Sequence, residues 1–184
     1  MSEHVCPFWV GYLLLSPLRK LVTNPSRILR PYVKPGMRAL DAGTAMGFFS
    51  LPLARMVGPS GRVVCVDLQE KMIAKLKARA LIAELADRME FRVCTKDSLG
   101  IGDLAQEIDV ALAVAVVHEV PDARRFFTEV FQVLKKGGRL YFSEPAGHVT
   151  EDAFAGSISL ARAVGFQVEE TRKVFRSHSA LLTK

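Results

Sequence analysis

Residues 39–50 of this 184-residue chain, Ala-Leu-Asp-Ala-Gly-Thr-Ala-Met-Gly-Phe-Phe-Ser, decide its fold. An apolar run ends at Asp41 and Ala42, small residues follow from Gly43 to Gly47, and a helical pattern begins after them. Glycines in such a loop let the backbone approach a ligand closely. The order predicts a strand, a tight loop and a helix, and α/β sheets bind their ligands beyond the carboxyl ends of such strands.

Outward from this stretch, short β-branched runs alternate with longer amphipathic ones. The clearest helical pattern spaces apolar residues three and four apart over 123–134. Asp122 is placed to cap this helix, and Gly137 with Gly138 is predicted to end it. A further helix is expected from Glu151 to just before Gly165. The predicted strands between these helices are 38–42, 62–67, 89–94, 110–116 and 138–144.

The C-terminal end follows a different pattern. Two extended runs, 166–174 and 176–183, stand too close together for a helical crossover, so we expect antiparallel neighbours. The sequence therefore predicts an α/β fold with a Rossmann-like, seven-stranded, mostly parallel sheet, a C-terminal antiparallel hairpin and helices on both faces. We divide the chain into an N-terminal helical extension, 1–34, and one α/β domain, 35–184.

Composition restricts the class of protein. Hydrophobic residues make up 49% and charged residues 24%, which is typical of a globular domain. Cys6, Cys65 and Cys94 lack the spacing of metal ligands, so we predict no metal and a reduced, cytoplasmic setting. The longest uncharged N-terminal stretch, 5–18, is too short to span a membrane, and no signal peptide is recognisable.

The N-terminal extension carries two open questions. The net charge is +6, and the first 38 residues hold six basic residues against Glu3 alone. They form either a solvated helix face or an arm that touches nucleic acid or an anionic substrate. Trp9 and Tyr12 are candidate substrate-binding residues of a lid, but they suit a core or a homodimer contact equally. The sequence leaves open whether the protein is a monomer or a homodimer.

Carboxylates close three successive predicted strands. Asp41 precedes the glycines, Asp67 can accept hydrogen bonds from both hydroxyls of a ribose, and Asp97, beside Ser98, can accept from an exocyclic amine. Three such groups in register favour a ligand of the nucleoside type. A nicotinamide-binding fingerprint would need further glycines where Ala45 and Phe48 stand, so two of its three glycines are missing.

On these residues the chain, from about Tyr32 onward, resembles the class I S-adenosylmethionine-dependent methyltransferases, and most of all the small enzymes grouped with quinone-pathway and arsenite methyltransferases. The resemblance implies S-adenosyl-L-methionine as cofactor and places Leu68 next to its adenine. The family usually has glycine where this chain has Ala45, and alanine would strain a loop that requires positive φ. The implied cofactor-binding residues are Asp41, Gly43, Thr44, Ala45, Gly47, Asp67, Leu68, Asp97, Ser98 and Ala115.

Candidate catalytic residues follow the fourth and fifth predicted strands. His118 is the candidate base or acceptor-orienting group, because the pKa of an unperturbed histidine lies near working pH. Glu144 and His148 are further candidates. We expect methyl transfer to carbon or oxygen of a small-molecule acceptor that the sequence does not identify. Two alternatives stay open: an RNA methyltransferase that uses the basic N-terminal arm, and a non-catalytic protein that binds S-adenosylmethionine.

Overall fold

The computed structural model describes residues 23–174 and 176–184, and Cys6, Trp9, Tyr12 and most of the predicted N-terminal extension lie outside these ranges. Its helices and strands alternate along most of the described chain. They are α1 (Pro25–Leu29), β1 (Arg38–Ala42), α2 (Ser50–Val57), β2 (Arg62–Asp67), α3 (Glu70–Ile82), β3 (Met89–Val93), β4 (Ile108–Val114), α4 (Ala123–Val133), β5 (Leu134–Pro145), α5 (Glu151–Val164), β6 (Gln167–Val174) and β7 (Ser177–Thr183).

The seven strands form one sheet in the order β3-β2-β1-β4-β5-β7-β6. The first five of these are mutually parallel, whereas β7 runs antiparallel to both β5 and β6. The chain leaves β1 toward β2 on one side and returns to β4 on the other, so the strand order reverses between β1 and β4. A ligand crevice is expected at the carboxyl ends of these two strands.

Each face of the sheet is covered by a separate apolar cluster. On one face, Phe127 of α4 and Phe154 of α5 pack against Phe142 of β5. On the other face, Leu29 and Leu53 from α1 and α2 pack over Ala39, in the cluster that also holds residues of α3. The predicted layering, with helices on both sides of a mostly parallel sheet, is therefore confirmed.

Local sequence signals explain where most helices begin. The side chains of Asn24, Asp122 and Thr150 each accept a hydrogen bond from the backbone N–H three residues later, at the starts of α1, α4 and α5. Pro25 occupies the first turn of α1, where its missing N–H leaves no helical hydrogen bond unmade. None of the helices in the described ranges combines the length and the apolarity that crossing a membrane requires.

Several predicted boundaries were wrong. Strand β4 covers Ile108–Val114 rather than 110–116, because Ala115 turns the chain with φ +56°. Helix α4 ends at Val133, because Leu134 already has extended backbone angles and pairs with Ile108 of β4. Gly137 and Gly138 therefore lie inside β5 rather than at the end of the helix. Their backbone groups are bonded to the C-terminal residue, with Gly137 N donating to Lys184 O and Lys184 N donating to Gly138 O. The pairing of the chain end with β5 overrides the local glycine signal.

The boundary between extension and domain at residue 34 stays a prediction. Leu29 of α1 is fully buried, and Val33 lies in the same apolar cluster. The described part of the extension therefore packs directly on the domain.

Candidate active site

The loop after β1 passes close to the chain that follows β4. The backbone N–H groups of Gly43 and Thr44 both donate to the carbonyl oxygen of Val66, at 2.9 and 3.0 Å. A β-carbon added to Gly43 would lie only 2.7 Å from Val116, and Gly43 has φ +77°. Both the space and the backbone angle therefore require glycine at this position.

Ala45 and Gly47 complete the turn of this loop with positive φ, +45° and +85°. A β-carbon on Gly47 would lie 2.2 Å from Leu76 of α3, so this helix packs against bare backbone. The strain expected at Ala45 is confirmed by its φ, because an L-residue is disfavoured in the left-handed region. The loop tolerates this conformation since Ala45 N donates to Asp67 Oδ2 at 2.8 Å.

Asp41, in β1, binds the loop that follows this strand through its buried carboxylate. The residue is only 3% exposed, and its carboxylate accepts hydrogen bonds from the hydroxyls of Ser50 at 2.5 Å and Thr44 at 3.2 Å. Burial raises the pKa of Asp41 to about 6. Asp41 thus connects the end of β1 to the start of α2, and its implied contact with the cofactor stays a prediction. The role of Ser50 was missed from sequence, although its hydroxyl stands at the first residue of a helix.

Asp67 ends β2 at the entrance of the crevice. Its Oδ2 accepts from Ala45 N and its Oδ1 accepts from Gln69 N at 2.9 Å. Burial raises its pKa, against the opposing effect of these two hydrogen bonds. Each carboxylate oxygen has a second lone pair, so Asp67 can still accept one hydrogen bond per oxygen from a ligand. Leu68, half-buried, follows it directly.

The segment after β3 carries Asp97 at an exposed position and half-buried Ser98. The Ser98 hydroxyl donates to Glu129 Oε2 of α4 at 3.1 Å. Sequence reasoning missed Glu129. The available signal was an acid inside the apolar stripe of α4, three residues after Phe126 and directly before Val130, both of which are buried.

Strand β4 ends at Val114 because Ala115 turns the chain with φ +56°. The Ala115 N–H donates to Ser143 O of β5 at 2.8 Å. The next residue, Val116, is the one that packs on Gly43. Non-glycine residues with positive φ often mark functional segments, and Ala45 and Ala115 place two of them at the carboxyl ends of β1 and β4.

His118 and Glu144 form a hydrogen-bonded pair beyond β4 and β5. His118 Nδ1 lies 2.5 Å from Glu144 Oε2, and Val117 N donates to Glu144 Oε1 at 2.8 Å. The Glu144 residue is 1% exposed, whereas the His118 side chain is 25% exposed. The hydrogen bond to Glu144 raises the pKa of His118, although partial burial opposes this rise.

The other residues around this pair are more peripheral. The ring of His148, an exposed residue, lies 6.0 Å from the ring of His118, centroid to centroid. Glu119 Oε1 lies 3.9 Å from His118 Nε2. Within the described parts of the chain, no three His, Cys, Asp or Glu side chains are arranged to hold a metal ion.

The residues predicted from sequence therefore fall into two groups that the Gly43–Val116 contact joins. The loop after β1 and Asp67 form the first, and His118 with Glu144 forms the second, with His118 two residues beyond Val116. The carboxylate of Asp67, at the end of β2, has one lone pair left on each oxygen and can bind two vicinal hydroxyls. A histidine oriented by a buried carboxylate can remove a proton.

Replacing Ala45 with glycine should stabilise the protein. Glycine adopts φ +45° without the penalty of about 1–2 kcal/mol that an L-residue carries in the left-handed region. After the entropic cost of glycine, we expect the free energy of unfolding to rise by about 0.5–1 kcal/mol in urea titrations. The matched control, Ala155→Gly at an exposed position of α5, should lose about 1 kcal/mol. A loss at both sites would contradict the strain at Ala45.

The raised pKa of Asp41 predicts a pH-dependent stability. Because the folded protein holds this proton more tightly than the unfolded chain does, the contribution of Asp41 to stability falls as pH rises from about 4 to about 6. Asp41→Asn removes this dependence, so its stability relative to wild type should improve by up to about 3 kcal/mol over that range. For Asp103→Asn, whose native carboxylate is paired with Arg92 and has a lowered pKa, the relative stability should instead stay constant or decline. Equal behaviour of the two variants in unfolding titrations would refute the assignment.

Comparison with known proteins agrees with this architecture. A family model described as a methyltransferase domain matches residues 33–177. An arsenite methyltransferase of Halobacterium salinarum is 35% identical over 111 residues, covering 60% of this chain and 27% of the relative. A demethylmenaquinone methyltransferase of Lactobacillus johnsonii is 27% identical over 158 residues, covering 80% and 62%. The chain thus spans less than two thirds of the length of either relative.

Among solved structures, a SAM-dependent methyltransferase from Aquifex aeolicus superposes with a TM-score of 0.87 at 20% identity, covering 97% of this chain and 99% of that one. At this identity the likeness concerns the fold. The family model, by contrast, matches well over half of the chain. The protein therefore belongs to the methyltransferase domain family, and its sheet has the fold of an S-adenosylmethionine-dependent methyltransferase.

Proposed function

We propose that this protein transfers a methyl group from S-adenosyl-L-methionine to carbon or oxygen of a small-molecule acceptor, with His118 as the base. The observation that carries the proposal is the position of the His118–Glu144 pair next to the loop after β1, across the contact between Gly43 and Val116. The chain belongs to a family of methyltransferase domains, and an oriented histidine lies beside the loop at which such a sheet is expected to bind its ligand.

The residues around the crevice suit a nucleoside. The two carboxylate oxygens of Asp67 each accept one backbone N–H and retain a lone pair, which matches the two hydroxyls of a ribose. Asp97 and Ser98 would face the adenine, with half-buried Leu68 beside it. The backbone from Gly43 to Gly47 and the bend at Ala115 would line the rest of the cofactor. When bound, S-adenosylmethionine supplies an electrophilic methyl group.

Glu144 determines what His118 can do. Its buried carboxylate accepts a hydrogen bond from Nδ1–H, so the neutral imidazole keeps its proton on Nδ1 and its lone pair on Nε2. The same carboxylate accepts from the N–H groups of Val117 and His118, at 2.8 and 3.3 Å, which prevents it from turning away. His118 Nε2 can then take a proton from an acceptor hydroxyl or acidic carbon, and the acceptor keeps the electron pair.

The need for a base restricts the acceptor class. An oxygen or carbon acid must lose a proton when it is methylated, and the name of the Lactobacillus johnsonii relative points to a quinone precursor of this kind. The Halobacterium salinarum relative is named for arsenite. In the described part of this chain, Cys65 is buried in the sheet and Cys94 is half-buried, and burial raises the pKa of both thiols. The proposal therefore favours a phenolic or enolic acceptor over a thiophilic one.

Cofactor binding is tested by calorimetry with S-adenosylmethionine. We expect wild type to bind, and Asp67→Asn to weaken binding at least tenfold, because hydrogen bonds to a charged acceptor contribute about 1.5–3 kcal/mol. Asp87→Asn, in the turn before β3, is the control and should bind as wild type does. Absence of heat with S-adenosylmethionine, together with tight binding of a nicotinamide dinucleotide, would overturn the proposal.

The role of His118 is tested by turnover. Wild type incubated with a metabolite extract should release the demethylated cofactor and yield a product heavier by one methyl group in mass spectrometry. We expect His118→Ala to lower turnover at least tenfold while the Kd of the cofactor stays unchanged. Since Glu144 raises the pKa of His118, the wild-type rate should climb with pH through a value above 6.5.

Two further variants test whether Glu144 orients His118 or whether any loss of a carboxylate lowers turnover. Glu144→Gln should lower turnover and shift the midpoint of the pH profile downward, because the charge that favours the imidazolium is lost. Glu84→Gln, at an exposed position after α3, should leave both unchanged. Full turnover in His118→Ala would remove His118 from the mechanism.

A further inference from the structure

Glu129 of α4 anchors the segment that follows β3. Its Oε2 accepts hydrogen bonds from Leu99 N at 2.7 Å and from the Ser98 hydroxyl at 3.1 Å. The Glu129 side chain is 17% exposed, and its other oxygen is 3.3 Å from Arg125 Nε one turn earlier. A partly buried carboxylate with two donors from one loop restrains that loop more strongly than a neutral acceptor would.

The anchored segment is a tight turn with Asp97 near its tip. Thr95 N donates to Ser98 O at 3.1 Å, and Ser98 N donates to the Thr95 hydroxyl at 3.2 Å. Gly100 N donates to the Ser98 hydroxyl at 3.1 Å, so this hydroxyl connects the turn, the loop and Glu129. Each of these hydrogen bonds involves Thr95 or Ser98, and none of them involves the exposed side chain of Asp97.

The orientation of Asp97 is therefore set through its neighbours. Ser98 is held by Glu129 directly, and Leu99 is held by Glu129 through its N–H and by the apolar cluster through its buried side chain. Glu129 is the residue of α4 that reaches the turn by hydrogen bonding in the described structure. Loss of its carboxylate would leave the turn closed and Leu99 packed in the cluster, but it would remove the two polar contacts that fix the turn relative to α4.

We propose that Glu129 is a positioning residue that aims Asp97 at the exocyclic amine of the cofactor's adenine and thereby determines nucleobase specificity. This inference rests on the proposed function, in which the crevice binds S-adenosylmethionine. Glu129 does not touch the cofactor. It acts through Ser98 and Leu99, so its loss should weaken binding of a ligand that has the exocyclic amine more than binding of a ligand that lacks it.

The test compares two ligands by calorimetry: S-adenosylhomocysteine, and its analogue in which an oxygen replaces the 6-amino group of the purine. Wild type should bind the adenosyl ligand at least tenfold more tightly. In Glu129→Ala and in Glu129→Asp, whose shorter side chain cannot reach Leu99 N, the ratio should fall below threefold, mainly because the adenosyl ligand binds more weakly. Glu129→Gln keeps an acceptor for Leu99 N and should restore most of the ratio.

Arg125→Ala is the matched control. It removes the exposed partner of Glu129 within α4 but leaves the two loop contacts in place, so the ratio should equal that of wild type. The unfolding midpoint of each variant shows whether it is folded, and Glu129→Asp supplies the answer if the alanine variant does not fold.

Three results would overturn the inference. If Glu129→Ala and Glu129→Asp bind both ligands more weakly by the same factor, Glu129 has a merely structural role. If both variants bind both ligands as wild type does, Glu129 has no role in ligand binding. A wild-type ratio near one would mean that Asp97 does not read the amine. The proposed function fails in a distinguishable way, since wild type would then bind neither ligand.

Discussion

The close packing of Gly43 against Val116 is the constraint on which the rest of the site depends. It occurs where the strand order reverses, so it joins the loop after β1 to the turn that carries His118. Any side chain at Gly43 would force these segments apart, because its β-carbon would overlap Val116. The loop after β1 and the candidate base can be neighbours only because this one residue has no side chain.

Four carboxylates hold the site together, and each binds a segment other than its own. Asp41 accepts from the hydroxyl of Ser50, and Asp67 from the N–H of Ala45. Glu129 and Glu144 accept from the backbone that follows β3 and β4. Desolvation raises the pKa of the first two, and the hydrogen bonds around each carboxylate offset this cost only in part. The rigidity of the loops and the chemistry proposed for them thus share the same groups.

Structural features that depend on a few neighbouring residues were predicted well from the sequence. The number and order of the strands, the cap Asp122 and the strain at Ala45 follow from local spacing and residue type. The end of α4 did not follow, because Leu134 pairs with Ile108, which is distant in sequence, and this pairing outweighs the glycines that stand three residues later. The hydrogen bonds that Glu129 makes to the segment after β3 were missed because they too join residues that are distant in sequence.

By itself, the sequence determined the α/β class, the loop after β1 and the carboxylates at the strand ends, since these depend on periodicity and on glycine at defined positions. It also singled out His118 and Glu144, but as separate candidates. Only the tertiary structure decided that Glu144 is buried and bonded to His118 Nδ1, and that Asp41 faces Ser50 rather than open solvent. The reason is physical: a hydrogen bond between residues on different strands depends on register and burial, which only the folded sheet establishes.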